Sequence, residues 1–234
     1  MIIIPMAGLS SRFFKAGYSE PKYKLKAHGK TLFHWAVMSF KQYFDSELFI
    51  IICRDVYDTP AFVERQLIKM GVKNYKIKIL DGETRGQAET VYMAMDLVTE
   101  NEPLLIFNID TCRHQCSYPE ENYEAWLEVF KGEGEHWSFA KVDPVSDLVI
   151  QTTEKVRISE LCSNGVYYFK DKATYNFAYQ SLKENIKTEL YIAPMYNYII
   201  DRGGRVGYRV VPISSHIFMG TPEEYEKFLD VEHV

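Results

Sequence analysis

Short apolar runs that alternate with stretches of helical spacing constrain this chain most. Ile2 to Met6 is an unbroken apolar run closed by a glycine-containing turn, and Leu48 to Cys53 repeats the pattern. Runs without polar alternation suit strands buried on both faces. Lys76 to Leu80 and Leu104 to Ile109 supply two more strands. Between them, Thr31 to Phe44 sets Leu32, Trp35, Ala36 and Met38 near helical spacing. Pro60 to Met70 reads as a helix with Thr59 as its N-cap and Gly71 as its stop. Gly86 opens another, through Thr90 to Met95. Strands alternating with helices predict an α/β fold: a mostly parallel central sheet with helices on its faces. In such sheets ligands bind beyond the carboxyl ends of the strands. The loops there begin at Ala7, Arg54, Asp81 and Asp110.

After Asp110 the spacing changes. His136 to Val142 and Leu148 to Thr152 read as shorter strands joined at Asp143-Pro144, and Gly165 to Lys170 as another. Ala173 to Leu182 and Tyr191 to Ile200 read as helices, Arg205 to Ile213 as a late strand. Pro222 to Leu229 closes the chain as a helix with Thr221 as N-cap. These elements extend the same unit, so residues 1–234 are expected to form a single domain. No apolar run nears the roughly 20 residues that cross a bilayer, and the start lacks a basic leader. A cytoplasmic protein with no membrane partner is expected. The net charge of −5 argues against nucleic-acid binding. The four cysteines are too scattered for a disulfide framework, and Cys112-Arg113-His114-Gln115-Cys116 has no second ligand pair at metal-site spacing.

Against that acidic background the positive charge at the start is local. Arg12, Lys15, Lys22, Lys24, Lys26 and Lys30 face a single acid, Glu20. They flank Ala7-Gly8-Leu9-Ser10-Ser11, where Gly8 lets backbone approach a ligand and Ser10 and Ser11 add hydroxyl donors. Arg12 can clamp a phosphate bidentately. No Gly-Lys-Ser/Thr or complete Gly-x-Gly-x-x-Gly is present, so an ordinary strand-to-helix turn with a solvated basic face fits as well. Pro21 stiffens the approach to Lys22, which can meet an α-phosphate as a point charge. Asp110 ends an apolar strand, where a carboxylate can hold Mg²⁺ between phosphate oxygens; a turn aspartate has the same setting. Gly86-Gln87 could admit and read a base edge, while Thr84 reads equally as a cap. Glu154-Lys155 and Asn164-Gly165 lie in the later half, where an acceptor would be held.

In order along the chain these pieces resemble the sugar nucleotidyltransferase family, whose fold is Rossmann-like and of the GT-A type. The resemblance rests on Ala7-Gly8-Leu9-Ser10-Ser11-Arg12, Pro21-Lys22-Tyr23-Lys24-Leu25, Gly86-Gln87-Ala88 and Asn108-Ile109-Asp110. It continues through Glu154-Lys155, Asn164-Gly165-Val166-Tyr167 and Gly220-Thr221-Pro222-Glu223. It implies a nucleotide-binding half, 1–112, and an acceptor-binding half, 113–234. It also implies roles. Ala7, Gly8, Ser10, Ser11 and Arg12 cradle a triphosphate, Lys22 stabilises charge at the α-phosphorus, and Asp110 holds Mg²⁺. Thr84, Gly86 and Gln87 meet the base; Glu154, Lys155, Asn164 and Gly165 face the acceptor. Two positions depart from the pattern: Ser10 replaces the loop's second glycine, and Phe218 stands where the family places a second metal aspartate. A narrower resemblance is to capsule-locus members such as the CTP:phosphoglutamine cytidylyltransferases. The expected partners are an NTP, with CTP favoured, and a small phosphorylated acceptor, and a homo-oligomer stays open. A GT-A glycosyltransferase and a non-catalytic nucleotide-binding protein remain the rival readings.

Overall fold

The computed structural model describes residues 1–231. In chain order the first elements are β1 (Ile2–Pro5), α1 (Ser11–Lys15), β2 (Lys26–Ala27), β3 (Lys30–Thr31), α2 (Leu32–Met38), β4 (Leu48–Arg54), α3 (Thr59–Met70) and β5 (Asn74–Leu80). Then come α4 (Gln87–Tyr92), β6 (Leu104–Phe107), β7 (Thr111–Arg113), β8 (Ala125–Lys131), β9 (Ser138–Asp143), β10 (Leu148–Glu154) and β11 (Leu161–Phe169). The last are α5 (Lys172–Asn185), α6 (Met195–Asp201), β12 (Val206–Val210), β13 (His216–Phe218) and α7 (Pro222–Leu229). The chain forms two compact units, each gathered from separated segments: Met1–Ile3, Thr84–Phe107 and Tyr118–Ile213 in one, Ile4–Glu83, Asn108–Ser117 and the stretch from Ser214 in the other.

In the first unit the strands run β10-β9-β11-β6-β1, with β8 on β11 and β12 on β8. β1 pairs parallel with β6, Ile2 facing Leu105 and Ile3 facing Ile106, and β12 pairs parallel with β8. β11 runs antiparallel to β6, β8 and β9. β8 is absent from the expected strands. Its run Ala125-Trp126-Leu127-Glu128-Val129-Phe130 carries a charge in the middle, yet Glu128 is fully buried and accepts a 3.0 Å bond from Asn164 Nδ2. A buried carboxylate is tolerated when hydrogen bonded. α5 is capped by Asp171, whose carboxylate accepts from Thr174 N–H at 2.7 Å. α6 starts at Met195 rather than Tyr191, because Pro194 fits only the opening turn of a helix. The Asn197 amide then meets the Thr152 N–H and C=O, both at 2.8 Å, and so completes hydrogen bonding on β10.

In the second unit β4 and β5 pair parallel in register from Leu48–Asn74 to Arg54–Leu80. Met6 N–H donates to Ile52 O at 2.8 Å at the end of β1. Phe49 to Cys53 are fully buried, as the unalternated apolar run requires. α3 ends at Gly71 as expected, with φ 81°. Its N-cap is Asp58, at φ 55°, and not Thr59. The Thr59 hydroxyl is turned instead to Val56 O and to the Tyr23 hydroxyl, both at 2.5 Å. β7 and β13 form a short antiparallel ribbon that sets Phe218 opposite Thr111. α7 has the expected Thr221 cap: its hydroxyl accepts from Glu224 N–H at 3.2 Å, and the Glu224 carboxylate accepts from Thr221 N–H at 3.0 Å. Thr221→Ala removes half of this capping box and should cost about 1 kcal/mol, read as a lower urea midpoint at unchanged slope. An unshifted midpoint would show that the cap holds nothing.

Candidate active site

The second unit places Ser10, Lys22 and Asp110 together. The loop leaving β1 turns at Ser10, in the left-handed region at φ 55°, and Ala7, Gly8, Ser11 and Arg12 lie beside it with Gly8, Ser11 and Arg12 exposed. Ser10 Oγ accepts the backbone N–H of Lys22 at 3.1 Å. Pro21 (φ −63°, ψ 145°) leads extended into a short helical turn, Lys22–Lys24. From there the Lys22 ammonium donates to Asp110 Oδ2 at 2.9 Å. Burial would raise the Asp110 carboxyl, but the Lys22 charge and hydrogen bond, with Arg12 adding attraction, hold it below the usual carboxylate range. Asp110 is thus an anion at neutral pH. Its carbonyl accepts Met219 N–H at 2.8 Å, which ties the loop to the end of β13.

An acid that sequence reasoning passed over enters here. Glu224 Oε2 accepts from Gly220 N–H at 2.8 Å. A methyl group on Gly220 would stand 3.2 Å from Asp110 Oδ2 and 3.4 Å from Glu224 Oε2, so both carboxylates crowd one glycine. Glu224 stands in the first turn of α7 as the capping-box acid, and only the fold brings it to the neighbourhood of Asp110. Phe218 stacks on His216, ring centroids 5.4 Å apart and 6° from parallel. The turn that carries Lys22 is braced as well, by Lys24 on the Tyr57 carbonyl and by Tyr23 on Thr59.

The first unit carries the remaining predicted residues in two sets. Thr84, Gly86 and Gln87 open α4. The Thr84 hydroxyl meets that of Thr90 at 2.6 Å and Gly86 O at 3.3 Å, so it is engaged in shaping the turn. Gly86 has φ 134° and ψ −175°, and Leu190 backbone lies against it. The second set is divided between the end of β10, with Glu154 and Lys155, and the middle of β11, with Asn164 and Gly165. Glu154 is bonded to the Ser138 hydroxyl, and burial raises its carboxyl despite that bond. Lys155 reaches the Tyr191 hydroxyl at 2.6 Å. Asn164 is only 2% exposed; its Nδ2 is on Glu128 and its Oδ1 accepts Val166 N–H at 3.0 Å. Gly165, at φ 90°, takes up the register shift of β11 against β8.

No model of a known protein family matches this chain, and no curated protein matches it. Solved structures do. A nucleoside-diphosphate-sugar pyrophosphorylase from Vibrio cholerae RC9 shares 45% identity over 99% of this chain and 100% of its own, with a TM-score of 0.93. The chain belongs to the nucleoside-diphosphate-sugar pyrophosphorylase family. It is therefore an enzyme, a nucleotidyltransferase. An inositol-1-phosphate CTP transferase from T. maritima shares the fold at 16% identity and a TM-score of 0.78, over 97% of this chain and 94% of its own. A UDP-glucose pyrophosphorylase shares it at 14% identity and a TM-score of 0.74, over 98% and 96%. The α/β class with parallel strands at its centre agrees with the reading of the apolar runs.

Asp110, a carboxylate kept ionised beside Lys22, has the chemistry to meet a divalent cation. Among the described residues no group of three or more His, Cys, Asp or Glu side chains gathers around a point. That donor set does not make an all-protein cage. It does fit Mg²⁺, which takes one or two carboxylates and finds its other ligands in phosphates and water. Among the described residues no helix is long and apolar enough to cross a membrane.

Proposed function

We propose that this family member moves a nucleotidyl group from an NTP, CTP in our reading, onto the phosphate of a small phosphorylated metabolite. A sugar phosphate or a phosphoglutamine-like compound is the acceptor we favour, in cytoplasmic synthesis of capsule or surface polysaccharide. The observation that carries the reading is the Lys22–Asp110 pair at 2.9 Å, beside the loop of Gly8 to Arg12. An ammonium has three donors, and Asp110 takes one. Two remain to meet oxygens on the α-phosphorus. Ala7, Gly8, Ser10, Ser11 and Arg12 cradle the β- and γ-phosphates. Thr84, Gly86 and Gln87 form the base side, and Glu154, Lys155, Asn164 and Gly165 the acceptor side. Asn164 serves there from behind, through Glu128 and the turn at Gly165. Asp110 would hold Mg²⁺, which when bound neutralises charge on the phosphate oxygens.

The chemistry is an in-line displacement. An acceptor phosphate oxygen forms a bond to the α-phosphorus, the bond to the bridging oxygen of the β-phosphate breaks, and pyrophosphate leaves with that electron pair. The attacking oxygen is already ionised at neutral pH, so no general base is required. Positioning and charge stabilisation by Lys22 and the loop then carry the rate. Incubation with Mg²⁺, each NTP in turn and a panel of phosphorylated metabolites should release pyrophosphate with one pair, CTP included. Silence from every pair sinks the proposal. Consumption of a nucleotide sugar without pyrophosphate would make the chain a glycosyltransferase.

A further inference from the structure

Lys155 is held in an unusual way. Its backbone takes φ 54°, a region most side-chain-bearing residues avoid, and its N–H is fixed on Trp137 O at 2.9 Å. Its ammonium sits 4.5 Å from the centre of the Tyr191 ring and 2.6 Å from the Tyr191 hydroxyl. That hydroxyl donates in turn to the Glu189 carboxylate, which turns its oxygen lone pair toward Lys155. The segment bearing Glu189 and Tyr191 is itself anchored. Leu190 N–H donates to Arg85 O at 2.6 Å, and Ala88 N–H to Leu190 O at 3.0 Å. The Arg85 guanidinium spans the Ile186 and Thr188 carbonyls at 2.6 and 3.1 Å. A methyl on Gly86 would lie 2.6 Å from Leu190 O, so segment and turn are in close contact.

A lysine in water loses most of its rotamer freedom when it grips a phosphate. Here the loss is met beforehand. The ring attracts the ammonium and the hydroxyl fixes its tip; Glu154 Oε1 stands 3.8 Å away, beyond a hydrogen bond, so N–H groups remain for a phosphate oxygen. We propose that Tyr191, oriented by Glu189, is a positioning residue that presets Lys155 for the phosphate of the acceptor. The inference rests on the reading of Lys155 as an acceptor-side residue. Neither Glu189 nor Tyr191 stood out in the sequence, where Tyr191 read as the start of a helix.

Methyl phosphate, the smallest phosphomonoester, is the probe, with binding followed by calorimetry on the whole protein. Lys155→Ala should weaken it about tenfold, the cost of one charge-assisted bond. Tyr191→Phe keeps the ring and loses the hydroxyl, and should weaken it about threefold. Tyr191→Leu loses both and should approach the Lys155→Ala value. Affinity for CTP and the thermal midpoint should stay near wild type in all three, which a merely structural role for Tyr191 would not allow. If Lys155→Ala binds methyl phosphate as wild type does, or wild type does not bind it, the acceptor-side reading of Lys155 fails and the inference with it. If Lys155→Ala loses binding while Tyr191→Phe and Tyr191→Leu keep or gain it, the reading stands and the inference alone is overturned. A loss in the Tyr191 variants that is matched by lost CTP affinity or a lowered midpoint overturns it too.

Discussion

Lys22→Ala should lower kcat by about 10²–10³-fold, the usual loss when one preorganised donor to a transition state is removed. KM for the NTP should change little, because the loop of Gly8 to Arg12 is untouched. The expectation follows from how firmly Lys22 is placed. Pro21 fixes the backbone on one side, Ser10 Oγ receives the Lys22 N–H, and Asp110 receives the ammonium. In the proposed reaction its charge would therefore be in place before substrate arrives, with no reorganisation needed as charge builds on the α-phosphoryl oxygens. Lys22→Arg should restore little, since a bulkier planar fork cannot keep the Asp110 bond and place its charge where the compact ammonium stands. Pyrophosphate release under saturating substrates is the measurement. Full activity in Lys22→Ala would remove Lys22 from the chemistry.

The parts of this fold that could be read from the sequence are those where burial erases polarity. β1, β4 and β6 stand between other strands, so their residues are apolar without a break, and periodicity finds them. Gly71 and Thr221 could be read because helix ends need particular residues. β8 could not. Its Glu128 breaks the apolar run, and the Asn164 that satisfies it comes from another strand, where no local pattern points to it. β7 and β13 are three residues each, too short for a period to show. The same limit applies to the site. Lys22 and Asp110 stood out because a proline and a strand end frame them. Glu224 and Tyr191 did not, because each acquires its meaning from a neighbour far away in the chain: Asp110 across Gly220, and Lys155 at the end of β10.

Two glycines should separate folding from binding. Gly86→Ala should destabilise the protein by roughly 3–5 kcal/mol, lowering the thermal midpoint on the order of 10 °C. At φ 134° and ψ −175° Gly86 lies in a region that is essentially closed to other residues. The added methyl would also meet Leu190 O at 2.6 Å and Leu190 N at 2.9 Å. These are backbone atoms, held by their own bonds to Arg85 and Ala88, and they cannot swing aside as a side-chain tip would. Gly8 is the opposite case. A methyl there meets no protein atom within 4 Å, and its φ is not in the left-handed region. Gly8→Ala should leave the midpoint unchanged or raise it slightly, since alanine restricts the unfolded chain. It should still raise KM for the NTP at least about tenfold, because the methyl fills the side from which a phosphate must approach the loop backbone. A midpoint unchanged in Gly86→Ala would mean that the turn above Leu190 re-forms around a methyl. An unchanged KM in Gly8→Ala would mean that the triphosphate does not lie on this loop.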